Sequence, residues 1–272
     1  MSTLARAESR TRELVINIGQ LPIRIIVENP KYQTLLVDRY GEFLNIGDEA
    51  DITLELQLTG DQNLSPDDDV KVRVRNGRWI MERGDFSAEF NPETRSGWIR
   101  QAATPYAIDT VLRILHGLLL AREGGFLLHA ASAIRNGKAF IFSGLSGAGK
   151  TTISGLAPRD ATLLTDEISY IRGEGRQFFA CGTPFAGELA RLGVNETAPI
   201  EAVYLLAQGP ENRIDAIDSA EALQRVLRNI LFFAEDPGLV SAVFDSACRF
   251  VEQVPVRLLT FYPDERVWDM IH

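Results

Sequence analysis

The chain has 272 residues, with 37 acidic against 28 basic side chains and a formal net charge of −9; 45% of its residues are apolar and 24% charged. That composition suits a globular protein with a sizeable core and excludes collagen-like, fibrous and wholly disordered classes. It also argues against a duplex nucleic-acid partner, whose phosphates need a face of Lys and Arg; lysine occurs only at Lys31, Lys71, Lys138 and Lys150.

Residues 1–12 are polar and are expected to fray. They lack the apolar core of a secretory signal. The most apolar long stretch, Val111 to Ala121, carries Arg113 and His116 and is too short to span a bilayer. The two cysteines, Cys181 and Cys248, stand at no metal-ligand spacing and suit a reducing compartment. The expectation is a cytoplasmic protein without a membrane or nucleic-acid partner; a homo-oligomer is left open.

From Glu13 to about Arg100 the pattern is β-like. Leu14–Ile18, Ile23–Val27 and Ile52–Leu58 are rich in β-formers. Val70–Arg75 alternates, and Asn76-Gly77 then joins it to Arg78–Glu82, the signal of a type I′ hairpin. The acidic run Asp67-Asp68-Asp69 lies in a polar loop and lacks the spacing of an EF-hand. Thr104-Pro105 opens a helix, with Thr as cap and Pro at the first helical position. Val111, Leu112, Ile114, Leu115, Leu118 and Leu119 give that helix a broad apolar stripe, and Gly124-Gly125 ends it. The division expected is a smaller β-rich domain over residues 1–100 and a second domain over residues 101–272.

The second part alternates strands and helices and reads as α/β. Strands are expected at Phe126–Arg135, Lys138–Ser143, Ala161–Thr165, Ile168–Arg172, Gln177–Cys181, Ala202–Leu206 and Val256–Tyr262. Asp218, with Glu221 three residues on, forms a capping box for a helix holding Leu223, Val226, Leu227, Ile230 and Leu231. Asp236-Pro237 opens another helix.

Gly144-Leu145-Ser146-Gly147-Ala148-Gly149-Lys150-Thr151 matches G-x-x-x-x-G-K-[ST] in full, between an apolar run and a short helix expected over Thr151–Ala157. Glycines let backbone N–H groups turn inward around a phosphate, and the helix start adds positive potential. Lys150 would reach the β- and γ-phosphates and Thr151 the Mg²⁺ shell. The nucleotide-binding candidates are Gly144, Leu145, Ser146, Gly147, Ala148, Gly149, Lys150, Thr151 and Thr152, with ATP and Mg²⁺ as the cofactors. Asp166 and Glu167 end the strand Ala161–Thr165, where an acid can serve a metal or take a proton from an attacking hydroxyl. A second Asn-Gly pair, Asn136-Gly137, makes a hairpin of Phe126–Arg135 with Lys138–Ser143. Its register places His129 beside Gly144, and the sheet is then mixed rather than parallel. His116 falls in the helix stripe and is expected to pack; His272 is terminal.

His129, the loop fifteen residues on and the adjacent acids resemble the catalytic domain of bacterial HPr kinase/phosphorylase, whose core is shared with phosphoenolpyruvate carboxykinases. The resemblance spans roughly residues 126–262. It implies a mixed-sheet P-loop kinase core of HPr kinase type, with Lys150, His129 and Asp166 catalytic, Asp166 as the base towards an acceptor Ser, and Thr151 and Glu167 on the metal. That family has two aspartates where this chain has Asp166-Glu167, and its phosphorolysis signature is not visible here. The segment Cys181-Gly182-Thr183-Pro184-Phe185-Ala186-Gly187-Glu188 looks like that of HPr-kinase-related proteins found beside peptide-modification genes, lasso-peptide clusters included. It is a substrate-facing loop or a plain turn, and Glu188 and Arg191 are further candidates for metal and phosphate contact. The activity implied is transfer of the γ-phosphate of ATP to a hydroxyl, with Ser of a protein or peptide as acceptor. The alternatives are a small-molecule kinase and a non-catalytic ATP-sensing module.

Overall fold

A computed structural model describes residues 13–45, 47, 49–60, 68–185 and 193–272. In the first part, β1 (Glu13–Ile18) and β2 (Leu21–Val27) form a hairpin, followed by α1 (Pro30–Tyr40) and β3 (Leu44–Asn45). Then come β4 (Ile52–Leu58), β5 (Lys71–Arg75), β6 (Arg78–Arg83), β7 (Phe86–Asn91) and β8 (Ser96–Gln101). The sheet order is β3-β1-β2-β4-β8-β7-β6-β5. It is mixed, because β4 runs parallel to both β2 and β8. The β5–β6 turn is the hairpin expected, with Asn76 and Gly77 at φ 50° and 75°. Such positive φ values match the twist of the paired strands, which is why Asn-Gly serves there.

The β-only expectation for this part fails at α1. Asn29 caps that helix by accepting from the Tyr32 amide (3.0 Å), and Pro30 occupies its first turn. Tyr32, Leu36 and Tyr40, four residues apart, are its buried face. Strands β7 and β8 lie outside the runs expected to form strands.

The long helix α2 (Pro105–Glu123) follows, and Gly124, in the left-handed region at φ 89°, ends it. Its apolar stripe is wider than expected: Ile108, Leu112, Leu115, Leu119 and Leu120 are buried, and so are Asp109 and His116. Thr104 has the extended backbone of a cap, but its hydroxyl is buried and makes no cap bond, so the expected side-chain cap is absent.

The remaining elements are β9 (Phe126–Arg135), β10 (Lys138–Ser143), α3 (Lys150–Gly155), β11 (Ala161–Thr165), β12 (Ile168–Glu174), β13 (Gln177–Cys181), β14 (Thr197–Gln208), β15 (Arg213–Ala216), α4 (Ser219–Leu227), β16 (Ile230–Leu231), α5 (Pro237–Gln253) and β17 (Val256–Phe261). The path is β10-β9-β12-β13-β14-β17-β15, with β11 and β16 also on β9, and β10 runs parallel to β14 as well. The sheet is mixed, as the hairpin implied. Asp218 caps α4 by accepting from the Glu221 amide (2.9 Å). The Glu221 carboxylate turns instead to Arg225 (2.6 Å). Ile230 and Leu231, expected in that helix, pair with β9 as β16, because the helix ends at Leu227. Asp236 caps α5 through the Leu239 amide (3.0 Å).

Helix α2 packs on α1, β8, β9, β12 and α5, so one apolar core runs from Ile16 and Ile25 through Leu112 and Leu115 to Leu128 and Ile171. A second core lies under α3, where Phe140, Phe142, Ile153, Tyr204, Phe261 and Trp268 meet. Each such side chain contributes about 1.5–3 kcal/mol of transfer free energy. The Trp268 indole N–H donates to the Ile153 carbonyl (3.0 Å) and ties the chain end to α3. Among the described residues no helix is long and apolar enough to cross a membrane.

Candidate active site

The glycine-rich loop 144–149 leaves β10 and enters α3, which runs Lys150–Gly155 rather than Thr151–Ala157. Phe140 and Phe142 anchor the strand in the second core. Gly147 and Gly149 lie at φ 78° and 108°, a region that L side chains rarely adopt. A Cβ on Gly149 would also meet the Phe261 ring at 2.6 Å. The loop is closed by hydrogen bonds from the Ala148 amide to the Leu145 carbonyl (3.0 Å) and from Lys150 Nζ to the Gly144 carbonyl (3.1 Å). From the end of β14, Gln208 Nε2 donates to the Gly147 carbonyl (2.7 Å).

The acid pair sits in the turn from β11 to β12. Thr165 Oγ1 accepts from the amides of Glu167 (3.3 Å) and Ile168 (3.2 Å), which pins the turn. The Ala130 amide of β9 donates to the Glu167 carbonyl (3.0 Å). Behind the turn, the buried Thr183 hydroxyl contacts the Ile168 carbonyl (2.9 Å) and Thr165 Oγ1 (3.3 Å). The described part of the segment, Cys181 to Phe185, is therefore a buried strut under the acids and not an exposed turn. Glu188 and Arg191 lie outside the described residues, as does Asp67; Asp68 and Asp69 are exposed.

The β9–β10 register is the one deduced from Asn136-Gly137, running from Arg135↔Lys138 to Ala130↔Ser143. His129 is thus the next residue along, facing the loop, and pairs with Ile168 on its other side. Its amide donates to the Asn229 carbonyl (2.7 Å), and its carbonyl accepts from the Ser143 hydroxyl (3.2 Å). Partial burial and then the nearby Lys150 ammonium push the His129 ring below its ordinary pKa, against the pull of Glu167. The ring is neutral at pH 7.

These residues meet in one cavity of about 360 Å³. His129, Lys150, Thr151, Thr152, Asp166 and Glu167 line it, with Ser146, Gly147, Gly149 and Gln208. Gly144, Leu145 and Ala148 instead line a second cavity of about 600 Å³, which shares Ser146 and Gly147 with the first. Its far wall is the end of β14 (Leu205, Leu206), the last turn of α4 (Gln224, Arg225) and the residues just after it (Arg228, Asn229). The loop therefore separates an acid-lined chamber from a roomier one with arginines.

Sequence reasoning missed three contributors. Gln208 ends an apolar strand beside the loop, at the C-terminal end of the parallel β10–β14 pair, where sheets of this kind place ligands. Thr183 gave no signal beyond its place in the singled-out segment. Arg113 was the one basic residue inside an otherwise apolar run besides His116, and that was its signal. Its guanidinium lies 4.9 Å from the Phe185 ring centroid and within Coulombic reach of Asp109 and Glu167.

No cluster of three or more His, Cys, Asp or Glu side chains suited to a metal occurs among the described residues. Two carboxylates and the Thr151 hydroxyl in one cavity are still a fitting set for Mg²⁺, which keeps waters and takes one or two carboxylates together with substrate phosphates.

No curated protein matches the chain. A solved structure, the HPr(Ser) kinase/phosphatase from Coxiella burnetii, is similar over 53% of this chain and 85% of its own, at 12% identity and a TM-score of 0.30. The family model described as SynChlorMet cassette protein ScmC matches residues 107–272, more than half of the chain and all of the loop, acid and histidine positions above. The chain belongs to the ScmC family of SynChlorMet cassette proteins.

Proposed function

We propose that the chain is an ATP- and Mg²⁺-dependent kinase of HPr kinase type that phosphorylates a hydroxyl, with Ser of a protein or peptide as the acceptor. The observation that carries this reading is the single cavity in which a glycine-rich loop with its lysine and threonine faces two carboxylates and a neutral histidine. Lys150 and the loop amides hold the phosphates. Thr151 and Glu167 hold the metal, whose charge offsets that developing on the transferred group. Asp166 takes the acceptor proton, and His129 orients the acceptor beside it. Phosphoryl transfer needs mainly positioning and charge neutralisation, and these groups provide both. The second cavity gives room for the body of a molecule whose phosphate lies in the loop. Residues 101–272 form the kinase part of this reading, and residues 1–100 the smaller β-rich part.

The test is transfer of labelled γ-phosphate into candidate precursor peptides and native lysate. Lys150→Ala is expected to abolish transfer and ATP binding together. Full activity in that variant, or intact ATP with every acceptor tried, overturns the assignment.

A further inference from the structure

Helix α4 turns one face to the cavity of about 600 Å³. Ala222 and Val226 are buried beneath it, while Glu221, Gln224, Arg225 and Arg228, spaced by three and four, line the space. The two arginines differ. Arg225 is already paired with Glu221 (2.6 Å). The Arg228 side chain is exposed and makes no hydrogen bond or ion pair among the described residues. This end of α4 is tied to the candidate active site. Asn229 is buried; its side-chain amide donates to the Arg225 carbonyl (2.8 Å), and its own carbonyl accepts from the His129 amide (2.7 Å). Arg228 therefore stands one residue from the backbone bond that holds His129. On the facing wall, the Leu145 side chain is 67% exposed. In the kinase reading the Leu145 backbone serves a phosphate, while its large apolar side chain stays in water until a second molecule covers it.

Size alone would let the nucleoside fill this cavity, but its position favours the acceptor. Gly144, which the hairpin register sets beside His129, lines it, whereas Lys150, Thr151 and Thr152 line the acid chamber. An acceptor whose hydroxyl is oriented by His129 has its neighbouring residues on this side of the loop. We infer that the cavity receives the peptide segment beside the accepting Ser, and that Arg228 selects a carboxylate there. The substrate class is then a peptide segment with Asp or Glu close to its Ser. This rests on the kinase reading above. An unpaired guanidinium offers a carboxylate two parallel N–H donors. Leu145, Leu205 and Leu206 give an adjacent side chain an apolar wall. On a chain of net charge −9 this attraction is local, and salt weakens it.

The experiment offers the full chain, with Mg²⁺ and labelled ATP, an array of Ser peptides carrying Asp, Ala or Lys at each neighbouring position. The parent is expected to phosphorylate peptides with Asp at a position beside the Ser about fivefold faster than those with Ala there, the effect of one partly exposed charge pair. Arg228→Gln is expected to lose that preference, and Arg228→Glu to lose it or turn it towards Lys. ATP binding, read with a fluorescent nucleotide and no peptide, is expected to stay unchanged in both. An absent Asp preference in the parent, or the same preference in Arg228→Glu, overturns the inference and leaves the kinase reading standing. Weaker ATP binding in Arg228→Glu with the thermal melt preserved gives the cavity to the nucleoside and overturns it too. If Arg228→Glu melts early, Arg228→Gln decides by the same criteria. Transfer to no peptide, with ATP bound by the parent and not by Lys150→Ala, overturns the inference and the peptide acceptor while the nucleotide site stands. Absence of ATP binding by the parent overturns the kinase reading, and this inference with it.

Discussion

His116→Leu is expected to stabilise the protein, and to do so more in acid. His116 is fully buried in α2, its ring edge-on to Tyr170 at 5.5 Å, and neither ring nitrogen has a hydrogen-bond partner. Burial alone pushes its pKa down to about 3. The sign follows from proton counting. Below about pH 6.5 the unfolded chain binds a proton at this position that the native chain refuses, so stability falls as the pH drops from about 6.5 towards 3. Two unpaired buried nitrogens cost about 1–3 kcal/mol at neutral pH, and leucine removes that cost, less the misfit of a branched and slightly bulkier side chain in the place of a flat ring. Near pH 4.5, about two units below the unfolded pKa, the parent loses about a further 2.7 kcal/mol that the variant keeps. Urea denaturation near pH 7.5 and near pH 4.5 measures both, and the carboxylates common to the two proteins cancel in the difference. An equal difference at the two pH values refutes the reasoning, because a buried neutral histidine must make it grow in acid.

Asp166→Asn is expected to keep ATP binding and lose transfer by roughly 10²-fold or more, as for a general base; loss of nucleotide binding instead would make Asp166 the metal ligand and Glu167 the base. Thr183→Val removes the hydroxyl behind the acid turn and is expected to lower kcat about fivefold, with the dissociation constant for ATP unchanged, about 1 kcal/mol in the transition state; an unchanged kcat would show that the strut is not needed. Arg39→Ala leaves Asp109 buried beside Tyr40 alone and is expected to cost about 2–3 kcal/mol in urea denaturation, below the value for a wholly buried pair because Arg39 keeps some contact with water; a loss under about 0.5 kcal/mol would count against the pairing described.

The strongest local signals carried the site. Two Asn-Gly pairs fixed two hairpins, because only a left-handed pair closes so tight a turn, and one of them set the register that brought His129 to the loop. The strand before Asp166 was recognised residue for residue. What was illegible depended on contacts remote in sequence. Helix α1 has an Asn-Pro cap and a Tyr32–Leu36–Tyr40 spacing, yet it lies between β-rich runs that favoured one reading for the whole stretch. Ile230 and Leu231 fitted the apolar period of α4, and only the free edge of β9 beyond the end of β10 explains why they form a strand. Gln208 acts through one bond to a loop 61 residues away, and Thr183 through contacts to a turn 15 and 18 residues away.

The stretch shared with the ScmC family begins at residue 107, within α2, but the helix has company on both sides. The Tyr32 hydroxyl donates to the Thr104 carbonyl (2.9 Å), Arg39 and Tyr40 hold Asp109, and β8 packs against the same helix. A clone cut at the start of the family match would take these partners away, leaving Asp109 unpaired and opening to water the apolar surface of α2 that α1 and β8 cover. Expression trials of the family-matched part should therefore carry the first hundred residues along.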